Sequence, residues 1–132
     1  PTSGDARMYG RSIRTQMDAV QADLGVCPQH DILFDLLTVR EHLRLYGVVK
    51  GVAGPATLDA AISEIVGAVQ LDDKIDTPAK ELSGGMKRKL STAIALLGDP
   101  KVVFLDEPTS GYVYIYHSSM LGLIIPRSSR CA

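Results

Sequence analysis

The sequence has no tryptophan and only two cysteines, Cys27 and Cys131, in 132 residues. With no CxxC pair, neither a disulfide scaffold nor a cysteine zinc site is indicated, and a reducing compartment fits. No apolar run approaches the roughly 18 residues that a transmembrane helix needs. A surplus of charge is missing as well: fourteen Lys and Arg face fifteen Asp and Glu, leaving a formal net charge of -1. That balance lacks the net basic signature of a nucleic-acid binder. A phosphate loop requires Gly-x-x-x-x-Gly-Lys followed by Ser or Thr. None of the six lysines, Lys50, Lys74, Lys80, Lys87, Lys89 and Lys101, meets that condition. The opening Pro1-Thr2-Ser3-Gly4-Asp5 has no initiator Met and no signal-peptide shape, so the chain is expected to begin inside a longer sequence.

What is present is a globular composition. Apolar residues make up 45% and charged residues 22%, which argues against disorder of the whole chain. A mass of 14.2 kDa suffices for one domain and not for two. Pro1 to Gly10 is rich in turn formers, and Arg14 to Ala22 is a short helix or a loop. Leu24-Gly25-Val26-Cys27 is an apolar run stopped by Pro28, as at a strand end, with Gln29 and His30 directly after it. Thr38-Val39-Arg40-Glu41 is a capping box, and Val39, Leu43, Tyr46 and Val49 follow at helical spacing. After a break at Gly51 to Pro55, a second helix is expected from about Thr57 to Gln70, with Leu58, Ile62, Ile65 and Val69 on its apolar face. Leu71 to Lys80 is a charged connector. A third helix opens at Ser83 to Gly85, buries Met86, Leu90, Ala93 and Leu97, and ends near Gly98 ahead of Pro100. Val102-Val103-Phe104-Leu105, four apolar β-formers in a row, predicts a strand covered on both faces. The composition then changes: the last 21 residues hold no Asp or Glu and three of the five tyrosines, so a tail of different origin is expected there.

Two short stretches carry candidate chemistry. In the first, the strand Val102–Leu105 delivers Asp106 and Glu107 to its C-terminal edge, where open α/β sheets bind ligands. In a Walker B arrangement the first carboxylate of such a pair helps hold Mg2+, and the second can polarise the attacking water as general base. Taken alone, the pattern also fits a strand running into a polar turn. In the second, Leu82-Ser83-Gly84-Gly85-Met86 opens a helix. Paired glycines admit an anion closely, and the free N–H groups at a helix start suit phosphate. Ser83 either caps the helix or donates to a phosphate oxygen. The remaining candidates have plainer readings. His30 is a polar loop residue, His42 lies on an exposed helix face, and Cys27 is a small buried residue. Lys87-Arg88-Lys89 is a solvated helix face able to draw phosphates. Tyr112 to Pro126 is apolar, β-prone and uncharged, an aggregation-prone segment.

In this order the pieces resemble the nucleotide-binding domain of an ATP-binding cassette (ABC) transporter, over about residues 1–111. Gln29 resembles the Q-loop glutamine, with 53 residues between it and Ser83. Leu82–Met86 resembles the LSGGQ signature, with Met86 in place of Gln. Val102–Glu107 resembles the Walker B strand, and Asp106 to Gly111 resembles the run into the D-loop. Cys27-Pro28-Gln29-His30-Asp31 and Ser-Gly-Gly-Met-Lys-Arg-Lys-Leu resemble the A subfamily, which is associated with lipid transport. The resemblance implies an α/β fold: a partial P-loop NTPase (RecA-like) core with an ABC-type helical subdomain, lacking the Walker A strand-loop-helix. Residues 1–29 would be core up to the Q-loop and 30–83 the helical subdomain. Residues 84–111 would be the signature helix and Walker B strand, and 112–132 an unrelated tail.

The resemblance also implies roles. Glu107 would be the catalytic base, and Asp106 would help hold Mg2+. Gln29 would contact Mg2+ or the attacking water and relay the nucleotide state. Ser83, Gly84 and Gly85 would bind the γ-phosphate of ATP held by the opposite cassette. The cofactors implied are ATP and Mg2+. The partners implied are a second nucleotide-binding domain and the transmembrane domains of the same transporter, with no nucleic acid and no membrane insertion by this chain. The location implied is the cytoplasmic face of a membrane, through the parent transporter. Without Walker A, the chain alone is expected not to hydrolyse ATP. It is also expected to lack a strand beside Val102–Leu105, and so to be poorly soluble or partly unfolded. His117 is faintly like a switch histidine, but it follows Gly111 too soon for the intervening helix and reads as a tail residue. Two other functions fit parts of the pattern. One is a non-catalytic module that presents the signature to a partner cassette. The other is a piece of a DNA-repair ATPase of the structural-maintenance-of-chromosomes type, which needs a long coiled coil that the stretch between Gln29 and Ser83 does not hold.

Overall fold

The computed structural model describes residues 3–105. Asp106, Glu107, His117 and the stretch from Tyr112 to Pro126 lie outside the described residues. In chain order the elements are β1 (Arg7–Met8), β2 (Arg11–Ser12), α1 (Met17–Ala22), β3 (Leu24–Cys27), α2 (Val39–Val49), α3 (Pro55–Val69), α4 (Gly84–Leu96) and β4 (Val102–Leu105). Single 3-10 turns at Asp72–Lys74 and Ala79–Glu81 interrupt the charged connector.

Three helices share one core. The Thr38 hydroxyl accepts from the Glu41 N–H at 3.2 Å, and the Glu41 carboxylate accepts from the Thr38 N–H at 2.8 Å, so the capping box that starts α2 is complete. The buried face of α2 carries Val39, His42, Leu43 and Gly47. Val49, expected on that face, is 72% exposed because the last turn runs past the core. His42 is not on an exposed face as expected but is fully buried. It sits three residues after Val39, on the same side of the helix. Its Nε2 accepts from the Phe34 N–H at 2.9 Å and its Nδ1 donates to the Thr38 carbonyl at 2.8 Å. With both ring nitrogens bonded, the imidazole can be buried. Helix α3 starts at Pro55 rather than Thr57, because proline suits the first helical position. It buries Leu58, Ile62, Ile65 and Val69 as expected. Leu90 and Ala93 from α4, with Leu97 just past its end, complete this core against α2 and α3.

The other side of α4 carries the sheet. β3 and β4 pair in parallel, from Leu24 opposite Val102 to Cys27 opposite Leu105. A parallel pair needs a long crossover, and α2 to α4 supply it. At Gly25 an added Cβ would lie 2.3 Å from the Ala95 carbonyl oxygen, so β3 lies flush on α4. β4 is not covered on both faces as expected. Phe104 is 61% exposed, and its register partner Val26 is 55% exposed. Gly25 and Cys27 point to α4, and on the opposite face no described element covers Val26 and Phe104. An apolar run gives a strand the capacity for two-sided burial, not the neighbours that achieve it.

Ahead of the sheet, β1 and β2 form a tight hairpin, which the turn formers of Pro1 to Gly10 do not by themselves predict. Tyr9 and Gly10 both take positive φ, 49° and 79°, as a two-residue hairpin turn requires. Asp23, just before β3, joins three parts of the chain. Its carboxylate accepts from Arg11 of β2 and from Lys101 at 2.8 Å, and its carbonyl accepts from the Val102 N–H at 3.1 Å.

Candidate functional site

Among the described residues the ladder runs as far as Cys27, and Pro28 has no N–H to donate beyond it. Gln29 and His30 follow immediately and are exposed. Cys27 is buried, with its sulfur 4.0 Å from the Thr92 hydroxyl on α4. Burial pushes its thiol up from the ordinary value, as befits a residue packed against α4.

The start of α4 is built for exposure. Ser83 caps the helix, its Oγ accepting from the Met86 N–H at 3.3 Å. A hydroxyl oxygen that accepts still has its own hydrogen to donate. Gly84 and Gly85 are exposed, and no described atom outside the helix lies within 4 Å of where either would carry a Cβ. Neither glycine has positive φ. Among the described residues neither packing nor backbone therefore requires glycine here, although each glycine in a helix costs about 0.5–1 kcal/mol relative to alanine. The first turn carries no acidic residue to compete for its N–H groups. The three positions fit an anion approaching from outside the chain.

Arg88, on the next turn of α4, connects this surface to Gln29. Its side chain is only 12% exposed, which corrects the solvated face expected for Lys87-Arg88-Lys89. Nη1 donates to the Pro28 carbonyl and lies 3.4 Å from the Gln29 carbonyl and 3.5 Å from Asp31 Oδ1. A signal for this was present: Arg88, Thr92 and Ala95 recur at helical spacing, a cation at the head of a small-residue stripe that admits a close strand. Of the sequence-predicted site residues, the structure thus links Gln29 to the helix that carries Ser83, Gly84 and Gly85. Asp106 and Glu107 follow β4 in sequence and lie outside the described residues. Among the described residues no group of three His, Cys, Asp or Glu is placed to hold a metal ion. No helix among them is long and apolar enough to cross a membrane. Beyond Gln29, Phe34, Leu36, Leu37 and Leu45 line a shallow apolar depression, with Ile32 nearby in sequence and 68% exposed.

The fold has a counterpart in a solved structure described as the ATP-binding subunit of an ABC transporter. The TM-score is 0.70 at 24% identity, covering 83% of this chain and 45% of that one. The described architecture therefore shares part of the fold of that subunit. The sequence profile of the ABC transporter family matches residues 1–110, and the chain belongs to that family. Rattus norvegicus ATP-binding cassette sub-family A member 7 is 48% identical over 111 residues. Arabidopsis thaliana ABC transporter A family member 5 is 50% identical over 113 residues. Each alignment covers 84% of this chain, which spans 5% of the rat protein and 12% of the plant one. Both relatives are members of subfamily A.

Proposed function

We propose that this chain is the part of an ABC ATPase domain that presents Ser83, Gly84 and Gly85 to Mg-ATP held by a second cassette, in a transporter that moves lipid. The observation that carries the reading is the bare, exposed pair Gly84–Gly85, which nothing among the described residues requires to be glycine. Hydrogen-bond donors at the start of α4 and the Ser83 hydroxyl would receive the γ-phosphate. Gln29 would contact Mg2+ or the attacking water, Asp106 would help hold Mg2+, and Glu107 would act as general base. Bound ATP supplies the phosphoanhydride whose hydrolysis drives transport. Residues 1–29 and 84–111 belong in this reading to the core, and 30–83 to the helical subdomain. The apolar depression at Phe34, Leu36 and Leu45 would receive the transmembrane domains, on the cytoplasmic face of the membrane. The absence of a phosphate loop from the 132 residues supports a non-catalytic role for the chain by itself.

The test mixes the chain with a complete subfamily A cassette and follows association by gel filtration. Co-elution is expected with Mg-ATP, not without it, and not for Gly85→Asp, which puts a carboxylate where the phosphate would sit. The chain alone is expected to release no phosphate from ATP above background. Association indifferent to nucleotide and to the substitution would overturn the reading. So would tight Mg-ATP binding by the chain alone.

A further inference from the structure

We propose that His42 is a positioning residue: its imidazole holds the loop 32–37 so that Phe34, Leu36 and Leu37 stand as a preformed apolar surface beside Leu45. The loop joins β3 to α2 and has no helix or strand of its own. Leu33 turns inward onto the helical core, while Ile32, Phe34 and Leu36 are exposed. The hydrophobic effect does not hold apolar side chains out in water, so the backbone that presents them is fixed by other bonds. Two come from the 3-10 turn Ala79–Glu81. The Leu37 carbonyl accepts from the Ala79 N–H at 2.9 Å, and the Asp35 carbonyl accepts from the Lys80 N–H at 3.0 Å. The bond at the Phe34 N–H differs in kind, because its acceptor is a side chain, His42 Nε2, at 2.9 Å. The Phe34 ring also lies against the imidazole, with centroids 6.0 Å apart and planes tilted by 31°, a separation at which aromatic rings attract. His42 thus fixes both the backbone and the ring of Phe34. Leu45, the wall that α2 contributes, lies one turn further along the same helix.

The two partners of the ring also dictate its form. A backbone N–H only donates and a carbonyl only accepts, so the imidazole carries its hydrogen on Nδ1 and leaves Nε2 bare. Lysine and arginine have no acceptor to offer in its place, and a carboxylate would bring a charge to a fully buried position. Leucine would fill the space and leave the Phe34 N–H without its acceptor. The Thr38 carbonyl would keep a donor, since it also accepts the His42 backbone N–H at 3.0 Å.

The proposal rests on the reading of this depression as the contact with the transmembrane domains, but the positioning is a property of the chain alone. Nuclear magnetic resonance on the full, 15N-labelled chain tests it without nucleotide or partner, so its failure is distinct from failure of that reading. A scalar coupling across the hydrogen bond is expected between the Phe34 amide nitrogen and His42 Nε2, with the ring hydrogen on Nδ1. The Phe34 amide is expected to exchange with solvent about tenfold faster in His42→Leu, the factor that one lost hydrogen bond is worth. The amides of α3 are expected to keep their wild-type rates. His42→Gln, whose side-chain amide offers an acceptor and donors, is expected to recover part of the protection. A missing coupling in the wild-type chain, or a hydrogen on Nε2, would overturn the proposal. So would Phe34 exchange unaltered by His42→Leu, or a loss of protection shared equally by α3, which marks simple loss of packing. Should His42→Leu fail to fold, the wild-type coupling and His42→Gln carry the test. Glutamine must then weaken protection at Phe34 more than at Arg40, whose N–H donates to the Ile75 carbonyl from the same end of α2, and an equal effect at both would overturn the proposal.

Discussion

At the scale of the residue, Gly25 and His42 show what a sequence conceals. The backbone of β3 meets the Ala95 carbonyl where a methyl group would have to sit, 2.3 Å away. Neither partner is a flexible side chain, so both strand and helix must shift to admit it. Gly25→Ala is expected to destabilise the chain by about 1–3 kcal/mol, as overpacking does. Urea unfolding followed by circular dichroism measures this, and an unchanged midpoint would show that the strand rides freely on α4. Nothing in the sequence distinguishes Gly25 from a glycine that merely loosens a strand, because the close approach comes from a helix 70 residues further on. His42 is concealed for another reason. Its spacing from Val39 placed it on the buried side, but its polarity argued for solvent. The Phe34 N–H, which completes its bonding, comes from a loop with no periodicity to read. Cys27, by contrast, was legible, since a small apolar residue at the end of an apolar run has little else to do.

At the scale of the element, the helices were the legible part, since their periodicity and caps are local. Thr38 and Glu41 mark the start of α2, Ser83 that of α4, and Gly98, with φ of 86°, its end. The other device at the end of α4 comes from α2 and left no local trace. Lys50 Nζ donates to the carbonyls of Ile94, Ala95 and Leu97 at 2.7, 2.8 and 2.9 Å. These are carbonyls that a helix end leaves without partners, and a cation there also meets the negative end of the dipole. Lys50→Met is expected to lower stability by about 1–3 kcal/mol through the unmade bonds. Burial draws the Lys50 amine down to about 8, from an ordinary 10.5. Between those values the unfolded chain binds more protons than the folded one, so this group makes stability rise with pH across that window. Thermal midpoints at pH 7 and pH 10 should therefore diverge, the wild-type chain gaining on Lys50→Met. A constant gap would mean that the amine titrates as it does in water.

At the scale of the whole molecule, carboxylates tie distant segments together. Asp23 holds Lys101 and Arg11, and Asp76 holds Arg40 at 2.8 Å. The hydrogen bond from Lys101 holds Asp23 below its ordinary 3.8, and the one from Arg40 does the same for Asp76. Backbone and side-chain bonds from Thr38 hold Glu41 below its ordinary 4.5. Each contributes stability that is present above the ordinary value and lost as pH falls through the lowered one. The thermal midpoint is expected to hold steady from pH 7 to about 5 and to drop below about 4. Asp23→Asn should flatten part of that drop, and a profile identical to wild type would remove Asp23 from the account. The order of motifs, Gln29 then Ser83–Gly85 then the apolar strand, was legible because each is a local pattern. The cover over β4 was not: an apolar run has the same sequence whether one of its faces is buried or both.

The pairing of β3 with β4 also has a consequence for how the chain is made. Cys27 and Val102, the end of one strand and the start of the other, are separated by 74 residues. A ribosome adds about 5–20 residues per second. β3 therefore leaves the exit tunnel roughly 4–15 s before its partner strand does. Helices form in microseconds or less, so α2, α3 and α4 have time to assemble while β3 waits. The stretch Leu24 to Cys27 is a strand only once translation has passed Leu105, and its earlier shelter is the α4 surface against which Gly25 is fitted.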